Sequence, residues 1–370
     1  MIEDCLRLTT YFGERHRADR ELLADAQLDL FGRREITTSI LLRGAEGFGL
    51  KHHLRTDPLR TMSEDLPVVS VAVDTRPRIE ALLDDLPVVA PWGLVTLEQA
   101  WMPRGDTGPL HLPEELPDGV KLTVYVGRQE RVDRVPAFVA ICDLLHRGGI
   151  AGAIVLLGVD GTVHGQRTRA RFFGRNADVP TMIIAVGTGD RIGRVLLELG
   201  GLLRRPLITL ERVRVCKRDG ELVERPHALS ATDEHGMAIW QKLMVHTSEG
   251  ALHDGQPVHR VLVRRLRESG AQGATALRGM WGFQGEAASH GDRLLQLGRR
   301  APVVTIIIDT PDRIADSFDI VDELTADHGV VTSETVPALT AITGNERSGG
   351  LHLPRYAVER IHHRSSGGVG

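Results

Sequence analysis

The feature that most constrains this chain is that it states one pattern three times. A glycine-studded segment recurs as Leu42-Arg43-Gly44-Ala45-Glu46-Gly47-Phe48-Gly49, as Leu156-Leu157-Gly158-Val159-Asp160-Gly161 and as Leu277-Arg278-Gly279-Met280-Trp281-Gly282-Phe283. After each comes a proline-led β-branched run that starts at Pro67, Pro180 or Pro302 and ends in Asp74-Thr75-Arg76-Pro77-Arg78, Gly187-Thr188-Gly189-Asp190-Arg191 or Asp309-Thr310-Pro311-Asp312-Arg313. One shift of 113 positions carries Pro67 onto Pro180 and Arg78 onto Arg191, and one of 122 carries Pro180 onto Pro302 and Arg191 onto Arg313. A constant offset between separated motifs means duplicated units, and 370 residues divide into three of ordinary domain size.

Each unit opens with a partly alternating strand, at 6–12, 120–126 and 239–245. A helix follows; in the third unit Val258, Val261, Leu262 and Leu266 form a stripe with Arg264, Arg265 and Arg267 outward. Gly148-Gly149 and Gly270 suit a left-handed helix stop. A second strand, at 36–42, 150–157 and 274–277, runs into the glycine loop and a long polar segment, then the β-branched run forms the third strand. The second helix begins near Thr75 or Thr310 as N-cap, with Pro77 and Pro311 in the first turn. A last strand closes each unit at 93–98, 206–211 and 329–334. The βαββαβ order predicts an α+β, ferredoxin-like fold with helices on one sheet face. The third strand is apolar on both sides, so the other face also needs cover. Three linked copies supply it by closing into an intramolecular pseudo-trimer. The expected boundaries are unit 1 at 1–102, a linker at 103–118, a divergent unit 2 at 119–215, a linker at 216–236, unit 3 at 237–340 and a flexible tail at 341–370. Leu-His-Leu-Pro at 110–113 and again at 351–354 reads as a docking strap.

A net charge of −4 and 4% aromatic residues give no reason to expect nucleic acid as a partner. No apolar stretch reaches the length of a membrane span, and the acidic start Met1-Ile2-Glu3-Asp4-Cys5 lacks a signal-peptide pattern. Cys5, Cys142 and Cys216 are too few and too far apart for a disulfide framework or zinc site. A cytoplasmic protein without membrane insertion is expected.

The string Cys5-Leu6-Arg7-Leu8-Thr9-x-Tyr11-x-Gly13-Glu14, together with the first glycine loop, Ser63-Glu64-Asp65-Leu66-Pro67-Val68-Val69 and Gly93-Leu94-Val95-Thr96-Leu97-Glu98, resembles the uncharacterised PII-like family of domain of unknown function 190. Unit 3 matches it well and unit 2 more weakly. The resemblance implies a PII-like trimeric signalling architecture: a non-enzymatic sensor or regulator, binding a nucleotide or small anion in clefts between units. It also implies long loops that contact a membrane transporter or channel, with a link to fluoride or ion transport. A chain carrying three units is expected to be a monomer.

The candidate ligand-binding residues are Arg43, Gly44, Gly47, Phe48, Gly49, Gly158, Gly161, Arg278, Gly279, Gly282 and Phe283. The glycines permit backbone N–H groups to cradle an anion, with Arg43 and Arg278 adding charge; equally, they shape a loop root. Unit 2 has Leu157 in place of the arginine and no phenylalanine. Arg78, Arg191 and Arg313 either face a ligand or neighbour, or form local ion pairs with Asp74 and Asp309. PII proteins hold phosphates with a lysine–glycine stretch before the last strand, and this chain lacks it; Arg204-Arg205 is a substitute in one cleft or a solvated pair. His52-His53 and His362-His363 read as exposed rather than metal-binding, and no catalytic motif is present. A ligand-free interaction scaffold and a divalent-metal-binding pseudo-trimer are the alternatives.

Overall fold

Side chains alternate across a strand, so each opening strand has two faces with different tasks. The computed structural model describes residues 2–49, 55–56, 65–85, 93–103, 119–163, 165–169, 179–203, 207–230, 239–284, 290–291 and 301–341. Unit 1 runs strand Ile2–Gly13, helix Leu23–Arg33, strands Thr38–Arg43, Glu46–Phe48 and Pro67–Thr75, helix Arg76–Leu83 and strand Leu94–Pro103. Unit 2 repeats this with Val120–Gly127, Ala137–Arg147, Gly152–Leu157, Asp160–Val163, Pro180–Gly187, Gly189–Leu202 and Leu207–Arg212. Unit 3 follows with Ile239–Ser248, Val258–Glu268, Ala274–Arg278, Trp281–Gln284, Pro302–Asp309, Pro311–Leu324 and Val330–Ala341. In every unit the first strand lies between the last and the third, with the second outside the third, all antiparallel. Three tandem copies of mixed α and β structure are therefore present, as the repeat requires.

One face of each sheet packs under its own two helices. Leu6, Leu8, Val95 and Leu97 join Leu28, Phe31, Ile79 and Leu82 in unit 1. Val120, Leu122 and Val124 do the same against Ile141, Leu145, Ile192 and Leu199, as do Leu243 and Val245 against Leu262, Leu266, Ile314 and Phe318. The opposite faces meet in a shared core, where Val69, Val71 and Val73 of unit 1, Ile154, Met182 and Ile184 of unit 2, and Met244, Val304 and Ile306 of unit 3 form one cluster. The doubly apolar third strand is thus buried on both sides.

Two sets of strand pairings join the units, and they run in opposite senses. Each glycine loop adds to the second strand of a neighbour: Glu46–Phe48 to Ala274–Arg278, Asp160–Val163 to Thr38–Arg43, and Trp281–Gln284 to Gly152–Leu157. Each last strand, or the strand after it, reaches the next unit's last strand: Trp101 pairs with Leu210, Arg214–Arg218 with the start of Val330–Ala341, and the end of Val330–Ala341 with Leu94–Pro103. Both rings close on all three units, which satisfies edges that would otherwise template association.

Two local expectations change. Thr75 and Thr310 occupy N-cap positions, yet neither hydroxyl caps its helix. The preceding carboxylates do that work: Asp74 accepts from the N–H of Thr75 (2.7 Å) and of Thr37 (2.8 Å), and Asp309 accepts from Thr310 and Gln272 (2.8 Å each). Each aspartate ties the second strand's entry to the second helix's start. The expected linker from 216 begins instead as a strand of the third unit's sheet, and buried Lys217 donates to the Asp322 and Thr325 carbonyls at the end of helix Pro311–Leu324. The straps, Arg204-Arg205, both histidine pairs and the tail from 342 lie outside the described residues.

Candidate functional site

The glycine loops have a structural occupation that sequence reading did not separate from ligand binding. In each unit the first glycine donates its N–H to the proline that leads the third strand: Gly44 to Pro67 (2.8 Å), Gly158 to Pro180 (3.0 Å) and Gly279 to Pro302 (2.8 Å). The next residue donates across the seam: Ala45 to Ala276 (2.9 Å), Val159 to Leu41 (2.9 Å) and Met280 to Val155 (2.8 Å). These N–H groups are committed, so they do not form an open cradle for an anion. The second glycines need their missing side chain for the same reason. A Cβ on Gly47, Gly161 or Gly282 would lie 2.5, 2.1 or 2.2 Å from a carbonyl oxygen of the neighbouring strand. At Gly49 a Cβ would meet nothing within 4 Å among the described residues.

Phe48 is buried in the core of unit 3 and Phe283 in that of unit 2, each plugging a neighbour. Thr162 stands at their place in unit 2. It is buried in unit 1's edge, and its hydroxyl donates to the Ile36 carbonyl at 3.0 Å. Arg43 and Arg278 remain at the surface as ion pairs with Glu14 (3.1 Å) and Glu249 (2.6 Å). The second arginine motif is also structural. Arg78, Arg191 and Arg313 donate to carbonyls ending the first helix of their own units: Arg34 and Glu35, Gly149, and Gly270, the last at 2.7 Å. Cations suit that end of a helix dipole.

The shared core holds a charged centre that the sequence reading passed over. Arg7, Lys121 and Lys242 lie on the shared faces of the three first strands, and Glu98, Glu211 and Glu334 on those of the last strands; all six are buried. Lys121 Nζ is 2.7 Å from Glu334, 2.7 Å from Glu211 and 3.8 Å from Glu98, so one ammonium touches a carboxylate of every unit. Lys242 pairs with Glu98 and, at 3.0 Å, with Glu334. Arg7 donates to both oxygens of Glu211 at 3.1 and 3.3 Å. Burial by itself raises the Glu98 and Glu334 carboxyls, but the surrounding cations outweigh it and hold both below the usual range. The three glutamates place one oxygen each within 4.8 Å of one another, the geometry of a tricarboxylate metal site. Here three fixed cations already balance them, as buried charge requires. The available signal was recurrence: one cation in the first strand and one carboxylate in the last, at the same place in all three copies.

Four residues beyond each hub cation the units carry Tyr11, Tyr125 and His246. Beside His246, at the seam between units 2 and 3, lies a cavity lined by Gly152, Ala153, Ile154, Thr247, Phe283 and Gln284 among others. Burial, then Lys121, pushes the His246 imidazole down to about 4, so it is neutral near pH 7. Of the sequence-predicted ligand residues, the structure brings Phe283 to this cavity; Arg278 lies opposite Val303, another lining residue.

A model of the DUF190 family, described as Uncharacterized ACR, matches residues 5–102, 119–215 and 240–338. A UPF0166 protein of Aquifex aeolicus (strain VF5) is 32% identical over 98 residues, which is 26% of this chain and 90% of that protein. That relative is therefore about one unit long. Among the described residues no helix is long and apolar enough to cross a membrane.

Proposed function

The chain belongs to the DUF190 family, whose unit it carries three times, and from that premise we propose that it is a non-enzymatic, PII-like regulator built as an intramolecular pseudo-trimer of ferredoxin-like units. A small effector, a nucleotide or an anion-bearing molecule, binds at a seam between units. The long segments that follow the glycine loops carry its occupancy to a partner such as a membrane transporter, in keeping with an ion- or fluoride-linked role in the cytoplasm. The observation that carries this reading is the cyclic exchange of glycine loops. Each loop is rooted in one unit and paired to another, so a ligand at a seam acts on both units and on the segment leaving it. The strand order, with the first strand between last and third, supports the ferredoxin-like description. The metal-binding alternative loses ground, because the clustered carboxylates are taken by Arg7, Lys121 and Lys242.

The test is a thermal-shift and calorimetric screen of the full chain against adenine nucleotides, phosphate and halides including fluoride. A saturable ligand that raises the melting temperature supports the reading. Absence of any saturable binder at millimolar concentration overturns it.

A further inference from the structure

The three seams are alike in backbone and unlike in chemistry. By the repeat, His246 stands where the other units place Tyr11 and Tyr125, and Gln284 stands where they place Gly49 and Val163. The cavity at the seam of units 2 and 3 is lined by Gly152, Ala153, Ile154 and Val186 from one side, and by His246, Thr247, Phe283, Gln284, Pro302, Val303 and Val330 from the other. It measures ≈ 20 Å³, room for about one water-sized group. None of its lining residues is Lys, Arg, Asp or Glu. At this cavity the Nε2 of His246, sealed from solvent, has no hydrogen-bond partner among the described residues, while the side chain of Thr247, the next residue of the same strand, points to the opposite sheet face. The Gln284 carboxamide reaches the His246 carbonyl only at 3.5 Å, leaving it able to turn to a better partner. Buried polar groups without partners are costly, and one beside a cavity with room for a single polar group calls for a hydrogen-bonding occupant.

We propose that the seam between units 2 and 3 is a subsite for the tip of a small uncharged hydrogen-bonding group, a hydroxyl or carboxamide end of a ligand, held by His246 and Gln284. An ionised carboxylate or phosphate is excluded from it, since nothing lining the cavity could balance the charge on burial. His246 serves as either donor or acceptor, because its ring is neutral near pH 7. The proposal rests on the seam-binding reading above and narrows it to one seam and one end of the ligand.

Acetamide and acetate, nearly identical in shape and different in charge, separate the possibilities on the full chain. The readout is the imidazole ¹⁵N resonances of His246, assigned with His246→Tyr. Acetamide is expected to shift them saturably and acetate is not. Gln284→Leu, close in size, should weaken acetamide about tenfold, the worth of one hydrogen bond, without lowering the melting temperature by more than a few degrees. Equal binding of acetate, or acetamide binding untouched by Gln284→Leu, overturns the proposal. If nucleotides or phosphate raise the melting temperature while the His246 resonances stay still under acetamide, the regulator reading stands and this subsite falls. If no probe binds by either readout, both fall.

Discussion

Lys121 and Glu334 are 213 positions apart in the chain, and their charged groups meet at 2.7 Å in the shared core. Lys121 also reaches Glu211 and Glu98, so it is the residue through which all three units are electrostatically joined. Replacing it by methionine keeps the stem and leaves three buried carboxylates facing two cations. Breaking such a buried arrangement costs about 3–5 kcal/mol, and Lys121→Met should lower the urea unfolding free energy by that amount. Adding Glu334→Gln to Lys121→Met should recover part of the loss, because the surplus negative charge goes with it. Strictly additive losses in the double variant would show that the two residues are not coupled.

The glycine loops make a second, position-specific prediction. Gly161→Ala and Gly282→Ala drive a methyl group against the Ser39 and Ala153 carbonyls of the neighbouring unit, and each should cost about 3 kcal/mol, the upper range for overpacking. Gly49→Ala places its methyl clear of every described residue and should leave the melting temperature within about a degree. All three glycines sit in the same motif, so a uniform response would mean that the seam pairing is not what fixes them. Gly49→Ala is therefore also the variant with which to test effector binding by the loop without opening a seam.

What could be read from residues alone was whatever is local or repeated. Constant offsets exposed the three copies, alternation and helical stripes ordered the elements, and the doubly apolar third strand required a second covered face. The long-range facts were hidden. A charged residue in an alternating strand, such as Lys121, reads as solvent-facing until the opposite sheet faces are known to be buried. Glycine permits close approach by a ligand and by a strand equally well, so Gly47 could not declare which one it accommodates. Arg191 could not be assigned between a ligand and a local partner, because its acceptor, the Gly149 carbonyl, lies 42 positions earlier. The aspartates were closer to legible: Arg78 does pair with Asp74, at 3.0 Å, while Asp74 and Asp309 also accept from N–H groups at the helix start and at the second strand's entry.

Gln27 provides a stabilising substitution. It lies on helix Leu23–Arg33 at a fully buried position, and both its amide nitrogen and oxygen lack a partner among the described residues. The corresponding helices of units 2 and 3 carry Ile141 and Leu262 there. An unsatisfied buried amide costs about 1–3 kcal/mol, so Gln27→Leu should raise the unfolding free energy by about 1–2 kcal/mol. Thermal unfolding checks this, and a lower melting temperature would mean that the amide is bonded in solution.

Acid should weaken the fold in a window set mainly by His246 and His259. Burial first, then neighbouring cations, lowers His246 and His259 from 6.5 to about 4 in the folded chain. Between those values the unfolded chain binds protons that the folded one refuses, so stability is full above about 6.5 and falls as pH drops toward 4. Glu46 opposes this. Burial, only partly countered by Arg260 and Arg264, raises it from 4.5 to about 7, so its own contribution is lost as pH rises across nearly the same range. Burial also lowers the His328 imidazole, which acts in the same direction, so against the one glutamate the histidines leave a net loss on acidification of at least the order of one buried histidine, about 3 kcal/mol at 1.4 kcal/mol per unit. Melting temperatures measured from pH 7.5 to 4 should fall accordingly. Glu46→Gln should steepen the fall by removing the opposing group. His246→Tyr, which installs the residue found at that place in units 1 and 2, should flatten it. A profile unchanged by His246→Tyr would mean that this imidazole titrates normally and is open to water at the seam.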